Sequence, residues 1–332
     1  IGLLPPSSET GLVRLMPSPH VSAADVMSFD AVDELLTLRD VIRYGVSQFR
    51  AAGLAYGHGT DNAFDDMVFL ALEGLNLPVD QLEPYWDARL LRRERLALLE
   101  LIERRIVTRK PTSYLLNKAY IQGVPFYVDE RVIVPRSYIG ELLFSNLFGG
   151  EGFNLVADVE AVGRVLDLCS GSGCLAILAA QVFPNAIVDA VELSPDAFEV
   201  AQRNVVEHGL EDRINLYLGD LFEPLPADAQ YDLIISNPPY VDAAAMAVLP
   251  PEYRAEPEMA LAAGDDGLAV VIRILEQAGE RLAAGGGLIC EIGRDRPALE
   301  ERFEDLAFLW LQTAGSFGEV FWLTAEQLSE AA

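Results

Sequence analysis

Between residues 165 and 323, short apolar segments with the composition of strands alternate with segments of helical periodicity. The predicted strands are Val165–Leu168, Ala186–Val191, Ile214–Leu218, Leu233–Ser236, Gly287–Ile292 and Val320–Leu323. Strands and helices that alternate in this way form a mostly parallel sheet with helices on both faces. The sequence therefore predicts an α/β fold with a doubly wound, Rossmann-like sheet, in which ligands bind at the carboxyl ends of the strands.

The first 136 residues are organised differently. Apolar residues recur at three- and four-residue spacing in 31–52, 62–75 and 87–108, which predicts helices. Residues 119–128 are aromatic and β-branched around a central turn, which predicts a hairpin, and a helix is expected from Ser137. The chain is accordingly divided into a Pro- and Ser-rich, poorly ordered lead-in (1–27), a helical domain (28–110), a hairpin linker (111–136) and a sheet domain (137–328).

The charge is strongly negative and unevenly distributed. The net charge is −27, and residues 131–332 hold 11 Lys and Arg against 33 Asp and Glu. Such a field repels phosphate backbones and attracts basic proteins, so we expect no binding to duplex DNA and a basic protein partner. The alternative is that the acidity provides solubility or reflects a salt-adapted source.

Composition also bounds the environment. No apolar run approaches the roughly 18 residues that span a bilayer, so no membrane association is expected. The three cysteines are too few for a disulfide framework and indicate a reducing compartment, so we expect a soluble, cytoplasmic protein. The three histidines lie beside none of these cysteines, and we therefore expect no metal site.

A glycine turn follows the first predicted strand, in Asp167-Leu168-Cys169-Ser170-Gly171-Ser172-Gly173, and a helix follows the turn. Such turns bring a ligand close to the backbone and to the helix N-terminus, in dinucleotide-binding proteins as well as others. Asp167 favours S-adenosylmethionine, because its carboxylate would repel a pyrophosphate and attract an ammonium group. Glu192 and Asp220, at the ends of the next two strands, are placed for the ribose hydroxyls and the adenine amino group.

Each of these acids alone could be a solvated loop carboxylate, but three acids at three successive strand ends favour a cofactor site. Leu221 and Phe222 follow Asp220 and are expected to line the adenine ring. The residues predicted to hold the cofactor are Asp167, Cys169, Gly171, Ser172, Gly173, Glu192, Leu193, Asp220, Leu221 and Asn237.

The fourth predicted strand runs into Asn237-Pro238-Pro239-Tyr240, which we predict to be the catalytic tetrapeptide. The two prolines fix the backbone and remove two N–H donors, which leaves the Asn237 side-chain oxygen and the Pro238 carbonyl as acceptors. A planar NH2 group that donates both hydrogens to them is held by bonds that strengthen as its nitrogen becomes tetrahedral. Tyr240 can stack on the flat group. Methyl transfer to a glutamine, adenine or cytosine NH2 group fits this arrangement; an ordinary turn is the alternative.

Further motifs follow the tetrapeptide, at Leu249–Tyr253, Glu256-Pro257 and Ala260–Leu268. With these motifs the chain resembles the bacterial protein-glutamine methyltransferases, which methylate the side-chain amide nitrogen of glutamine in translation proteins. The resemblance extends over about residues 29 to 328. It implies a seven-stranded methyltransferase sheet, S-adenosyl-L-methionine as the methyl donor and S-adenosyl-L-homocysteine as the product.

The family has two branches, one acting on peptide release factors and one on the third protein of the large (50S) ribosomal subunit. The chain is similar to the ribosomal-protein branch in 56–62, 109–115, 125–137 and 321–324, and in Cys169 and Cys174 around the glycine turn. The release-factor branch tends to have glycine at the Cys169 position and Pro-Glu-Thr-Glu after the Pro-Arg pair. Tyr138 stands where the ribosomal-protein branch usually has proline, a departure that concerns the local loop.

The resemblance also implies roles for the remaining regions. The helical domain would recognise a basic ribosomal protein of the large subunit, and Arg136 and Glu141 would close a substrate loop over the cofactor. Arg136 pairing a nearby acid is the alternative. Residues 89–110 hold 8 basic against 3 acidic residues, which could face ribosomal RNA or an acidic partner or form a solvated helix face. Rival functions are methylation of release factors, methylation of adenine in nucleic acid, and a non-catalytic cofactor-binding assembly factor.

Overall fold

A computed structural model describes residues 29–150 and 152–330, so the predicted lead-in 1–27 lies outside the described residues. The described chain begins with helices α1 (Phe29–Glu34), α2 (Leu38–Ala51), α3 (Ala63–Gly74), α4 (Arg92–Thr108) and α5 (Thr112–Leu116). The side chains of Thr37 and Asn62 accept backbone N–H groups of the first turns of α2 and α3, which fixes where these helices begin. The periodicity over 31–52 is therefore divided between two helices, and the helix predicted from Asp87 begins at Arg92.

The linker contains the predicted hairpin. Strands β1 (Ala119–Ile121) and β2 (Val124–Phe126) pair in antiparallel register around Gln122 and Gly123, both at positive φ. Positive φ at both central residues is the geometry that closes a two-residue hairpin. The short helix α5 is not predicted by the sequence. Beyond the linker, Ser137 caps helix α6 (Tyr138–Leu143) by accepting the Ile139 N–H.

A seven-stranded sheet forms the rest of the described chain, and it confirms the predicted doubly wound, mostly parallel fold. Its strands are β3 (Arg164–Leu168), β4 (Ile187–Glu192), β5 (Ile214–Leu218), β6 (Tyr231–Ser236), β7 (Leu282–Glu291), β8 (Leu309–Gln312) and β9 (Phe317–Thr324). The order is β5-β4-β3-β6-β7-β9-β8, with β9 antiparallel to both of its neighbours. The chain fills one half of the sheet outward from β3 and then the other half from β6, so the order reverses between these two strands. Ligands bind at such a reversal.

Helices cover both faces of the sheet: α7 (Cys174–Val182), α8 (Pro195–Glu207), α9 (Ala243–Val248), α10 (Ala269–Arg281), α11 (Arg296–Arg302) and α12 (Ala325–Glu330) complete the described chain. Successive residues of a strand point to opposite faces. Val165 and Ile289 accordingly pack with α6 and α7, whereas Leu166 and Leu288 pack with α10 and α12. These two hydrophobic cores, one on each face of the sheet, hold the carboxyl ends of its strands in place.

Buried polar contacts join the helical region (residues 29–110) to the sheet region (residues 137–330). Glu252, fully buried in a 3-10 turn after α9, accepts the Ala55 N–H at 3.0 Å and pairs with Arg109 at 2.7 Å. In the same turn the Tyr253 hydroxyl donates to the Tyr56 carbonyl at 3.4 Å. These contacts hold the loop formed by residues 56–62 beside the carboxyl edge of the sheet.

Candidate active site

A cavity of about 240 Å³, here the first cavity, lies at the carboxyl ends of β3, β4, β5 and β6. Seven of the ten residues predicted to hold the cofactor line it: Cys169, Gly171, Glu192, Leu193, Asp220, Leu221 and Asn237. The predicted catalytic residue Pro239 also lines it. The structure therefore brings together residues from four strand ends that are separated by up to 70 positions in the sequence.

Glu192 is held rigidly at the end of β4. One of its carboxylate oxygens accepts the Gly171 N–H at 2.7 Å and the other accepts the Ser194 N–H at 2.8 Å. Burial raises the pKa of this carboxyl, and the hydrogen bonds from the two backbone groups oppose that rise. The carboxylate thus joins the glycine turn to the start of α8, and its position in the cavity wall does not depend on a ligand.

Asp167, which is predicted to attract an ammonium group, is a residue of β3 and has one buried carboxyl oxygen without a hydrogen-bond partner. It is fully buried beneath the turn, and the other carboxyl oxygen accepts the Ala176 N–H at 3.1 Å, in the first turn of α7. Burial raises its pKa well above the usual value. Asp167, Ser172 and Gly173 are buried or have no place in the lining of the first cavity, so three of the ten predicted cofactor residues lie outside its wall.

Two non-glycine residues in the wall of the first cavity have left-handed backbone conformations. The φ angles are +59° at Cys169 and +47° at Leu221. This region is strained for residues with a side chain, and such strain is typical of ligand sites where the surrounding structure imposes it. Both residues follow strands of the sheet, and their conformations turn the chain around the opening.

The two arginines that line the first cavity already have carboxylate partners. Arg131 contacts Asp129 at 2.7 Å and Glu199 at 2.9 Å, and Arg273 contacts Asp220 at 2.8 Å. A pyrophosphate would need a free cation or an unoccupied cradle of N–H groups. The pairs leave a mainly apolar cavity with carboxylates at its edge, which suits a cationic nucleoside better than a dinucleotide.

Asn237 lies in the wall between the first cavity and a neighbouring one, here the second cavity. The Ser236 hydroxyl just before it donates to the Leu168 carbonyl at 3.0 Å, which ties the ends of β6 and β3 together. The Asn237 side-chain oxygen is buried and has no hydrogen-bond partner. A buried acceptor of this kind is costly, and the natural explanation is a donor that arrives with a ligand.

The second cavity is lined by the rest of the tetrapeptide, Pro238 and Tyr240, and by Tyr138, Tyr253 and Gly57. Gly57 belongs to the helical region, so both regions contribute to this cavity. The Tyr240 hydroxyl donates to the buried Glu291 at 3.1 Å, and burial raises the pKa of that hydroxyl. A flat group entering here would reach the unpaired oxygen of Asn237.

The two residues predicted to close a loop over the cofactor have different partners in the structure. Arg136 lines the second cavity and forms a two-pronged contact with the buried Glu256, with distances of 2.5 and 2.8 Å. Its role as a partner of a nearby acid, the alternative considered from the sequence, fits this contact. Glu141 lines neither cavity, and its carboxylate accepts the Ala314 N–H at 2.8 Å.

Several residues of the site were missed by sequence reasoning. Arg273 lies in the middle of α10, where nothing in the periodicity distinguishes it from a solvated helix residue. Glu291 did carry a signal, because a charged residue inside the apolar segment Gly287–Ile292 is expected only where hydrogen-bond donors compensate its burial. The first cavity is also lined by Arg131–Ile133 and Met259. Their position there results from tertiary packing, and no local sequence pattern indicates it.

The three cysteines are free thiols, and burial raises the pKa of Cys174 to about 12. Within residues 29–150 and 152–330, no group of three or more His, Cys, Asp or Glu side chains is arranged to hold a metal ion. Over the same residues, no helix combines the length and the apolar character that a membrane crossing requires.

The sheet has a doubly wound, Rossmann-like order with a cavity where the order reverses, and together with the following family match it places the chain among the Rossmann-like methyltransferases. The family described as "Methyltransferase small domain" matches residues 153–249. Proteins named "Ribosomal protein uL3 glutamine methyltransferase" are similar over nearly the whole chain. The protein from Bradyrhizobium diazoefficiens is 58% identical over 89% of this chain and 92% of its own length, and that from Bordetella pertussis is 54% identical over 89% and 97%. The chain therefore belongs to the ribosomal protein uL3 glutamine methyltransferase family.

Proposed function

We propose that the protein transfers a methyl group from S-adenosyl-L-methionine to the side-chain amide nitrogen of a glutamine in ribosomal protein uL3. The observation that carries this proposal is the buried, unpartnered oxygen of Asn237 at the boundary of the two cavities. It is an acceptor that an NH2 group can satisfy. The relatives named above support the choice of substrate protein.

The first cavity fits the methyl donor. Glu192 would take the ribose hydroxyls, Asp220 and Leu221 would meet the adenine, and the backbone at Gly171 would border the methionine part. Gly171 lines the first cavity, and an added Cβ at this residue would meet nothing within 4 Å. When bound, S-adenosylmethionine supplies an electrophilic methyl group on a sulfonium centre. Both lining arginines are neutralised by carboxylates, so they would not oppose that positive charge.

The tetrapeptide would hold the acceptor. The Asn237 side-chain oxygen and the Pro238 carbonyl would accept the two amide hydrogens, and Tyr240 would pack on the flat carboxamide. As the amide nitrogen gains a fourth bond its hydrogens become more acidic, so both hydrogen bonds strengthen in the transition state. One of these two protons must then pass to water, because neither carbonyl oxygen is basic enough to keep it. S-adenosyl-L-homocysteine would be the product left in the first cavity.

The charge of the protein supports a basic substrate. The net charge of −27 favours approach of a cationic ribosomal protein and disfavours nucleic acid. A ribosomal-protein substrate also implies that the reaction occurs in the cytoplasm. The contribution of Gly57 and Tyr253 to the second cavity supports substrate recognition by the helical region together with the sheet region.

The test is incubation of the purified enzyme with methyl-labelled S-adenosylmethionine and, separately, uL3, a peptide release factor, DNA and RNA. We expect label on uL3 only, on a peptide in which mass spectrometry finds one methylated glutamine. Label on the release factor alone would overturn the choice of substrate protein. Protease-resistant label in nucleic acid would overturn the choice of an amide, and binding of the donor without turnover on any acceptor would favour a non-catalytic role.

A further inference from the structure

Glu291 is the last residue of β7, next to β6 in the sheet, and it is a carboxyl group with only 1% of its surface exposed. Three donors from two other segments converge on it. One of its oxygens accepts the Ser137 hydroxyl at 2.7 Å and the Tyr138 N–H at 2.9 Å, and the other accepts the Tyr240 hydroxyl at 3.1 Å. One oxygen thus binds the start of α6, and the other binds the catalytic tetrapeptide.

The end of β7 also confines the ring of Tyr240 by shape. A Cβ added at Gly293 would lie 2.9 Å from the ring carbon Cδ2, and a Cβ added at Gly267 would lie 2.7 Å from the Tyr240 carbonyl. Neither distance is tolerated between atoms that are not bonded. Two glycines are therefore needed where Tyr240 packs, one beside the ring and one beside its backbone.

We propose that Glu291 is a positioning residue, which fixes the Tyr240 ring in the second cavity by accepting its hydroxyl, with Gly293 providing space for the ring edge. This inference rests on the proposed function, because it assigns the ring the role of packing on the acceptor carboxamide. The first cavity is not involved, since neither Glu291 nor Tyr240 lines it.

The hydrogen bond from the Tyr240 hydroxyl matters because it limits the motion of the ring. A tyrosine ring in an open cavity keeps rotational freedom about two side-chain torsions, and each misplaced orientation lowers the fraction of acceptor held in a reactive position. A buried carboxylate requires donors to offset its desolvation. The hydrogen bond therefore helps to offset the desolvation of Glu291, and at the same time it fixes the orientation of the Tyr240 ring.

A double-mutant cycle tests the pairing. We expect Glu291→Ala and Tyr240→Phe each to lower kcat on uL3 by roughly 10- to 100-fold, the range for a misplaced acceptor. The double variant should be no slower than the slower single variant, because the same contact is lost only once. The Kd for S-adenosylmethionine should stay unchanged in all three. Losses that multiply would overturn the proposal. Should Glu291→Ala fail to fold, Glu291→Leu, which is of similar size and has no acceptor, completes the same cycle.

A second readout needs no acceptor protein. In enzyme labelled with 13C at the tyrosine Cζ, the Tyr240 resonance is identified by its absence in Tyr240→Phe. We expect it to move in Glu291→Leu, which has no acceptor, and to stay in place in Ser137→Ala, which removes only a donor to the other oxygen. An unmoved resonance in Glu291→Leu overturns the positioning role. A moved resonance together with no methylation of uL3 by the wild type would instead refute the proposed function.

Discussion

Asn237 offers a side-chain oxygen that no group in the described protein satisfies. Leaving a buried acceptor unpaired costs about 1–3 kcal/mol, so the free enzyme is less stable than it could be. The prolines after Asn237 have no N–H and cannot supply a donor nearby. The site is in this sense complete only when a donor from outside enters the second cavity.

Replacement of this acceptor is the most direct test at the residue scale. We expect Asn237→Ala to lower kcat by roughly 10²- to 10³-fold, as for loss of one preorganised transition-state hydrogen bond. The Kd for S-adenosylmethionine, measured by calorimetry, should change little, because Asn237 is only one of many residues in the first-cavity wall. Asn185→Ala, at a surface asparagine bonded to the Glu160 carbonyl, is the control and should retain full activity. Unchanged turnover in Asn237→Ala would remove the proposed mechanism.

His58 gives a prediction on acid stability. Burial lowers its pKa from 6.5 to about 4, only partly opposed by the nearby Glu256, so the folded protein keeps the imidazole neutral. The unfolded chain binds the proton more tightly, and folding stability is therefore lost as the pH falls from 6.5 towards 4. His58→Phe should retain the ring contact with Tyr253 and remove this loss, which amounts to at most about 3 kcal/mol. Urea unfolding at several pH values measures the difference; parallel curves for the two proteins would contradict it.

At the scale of elements, the glycine turn between β3 and α7 combines a positive φ with an open side. Gly171 has φ +56°, and a Cβ there would point into free space. Gly209, which follows α8, has φ +64° and equally free space, but it lines neither cavity. The two glycines therefore separate the cost of backbone strain from the cost of obstructing a ligand.

We expect Gly171→Ala and Gly209→Ala to lower the free energy of unfolding by a similar amount, about 1–2 kcal/mol, because both force a side chain into the left-handed region. Only Gly171→Ala should raise the Kd for S-adenosylmethionine, by about tenfold or more, through contact of the new methyl group with the ligand. Calorimetric titration of the two variants decides this. Equal donor affinity in both would show that the turn does not border the methyl donor.

The 3-10 turn Pro251–Ala255 connects the two regions of the protein through Glu252. We expect Glu252→Gln to lower the free energy of unfolding by about 1–3 kcal/mol, because a charged hydrogen bond to Arg109 is lost from a buried position. The KM for uL3 should also rise, since Tyr253 in the same turn lines the second cavity. The matched control is Glu207→Gln, in a half-exposed pair with Arg203, for which less than about 0.5 kcal/mol is expected. Equal effects in both variants would contradict the connecting role.

Local patterns made the sheet and much of the site predictable. Six strands and the hairpin follow from apolar composition and turn residues, because these elements are set by nearby residues. Strand β8 was not located, since Leu309 is exposed and the segment lies at the edge of the sheet. Partners of the site residues were less predictable. The pairing of Asp220 with Arg273 and the burial of Asp167 depend on packing between distant segments, which no single-sequence pattern encodes.

For the whole molecule, the net charge of −27 has two interpretations, which measurements at different salt concentrations distinguish. If the negative field guides a basic protein to the second cavity, raising the ionic strength screens the attraction, since the Debye length falls from about 10 Å at 0.1 M to about 3 Å at 1 M. We then expect kcat/KM for uL3 to fall by about tenfold or more between these concentrations, mainly through KM. The Kd for S-adenosylmethionine is the internal control and should change far less, because a small ligand with little net charge gains little from steering. If the acidity instead reflects adaptation to salt, both stability and kcat/KM should rise with salt, and the proposed electrostatic recognition of uL3 would be wrong.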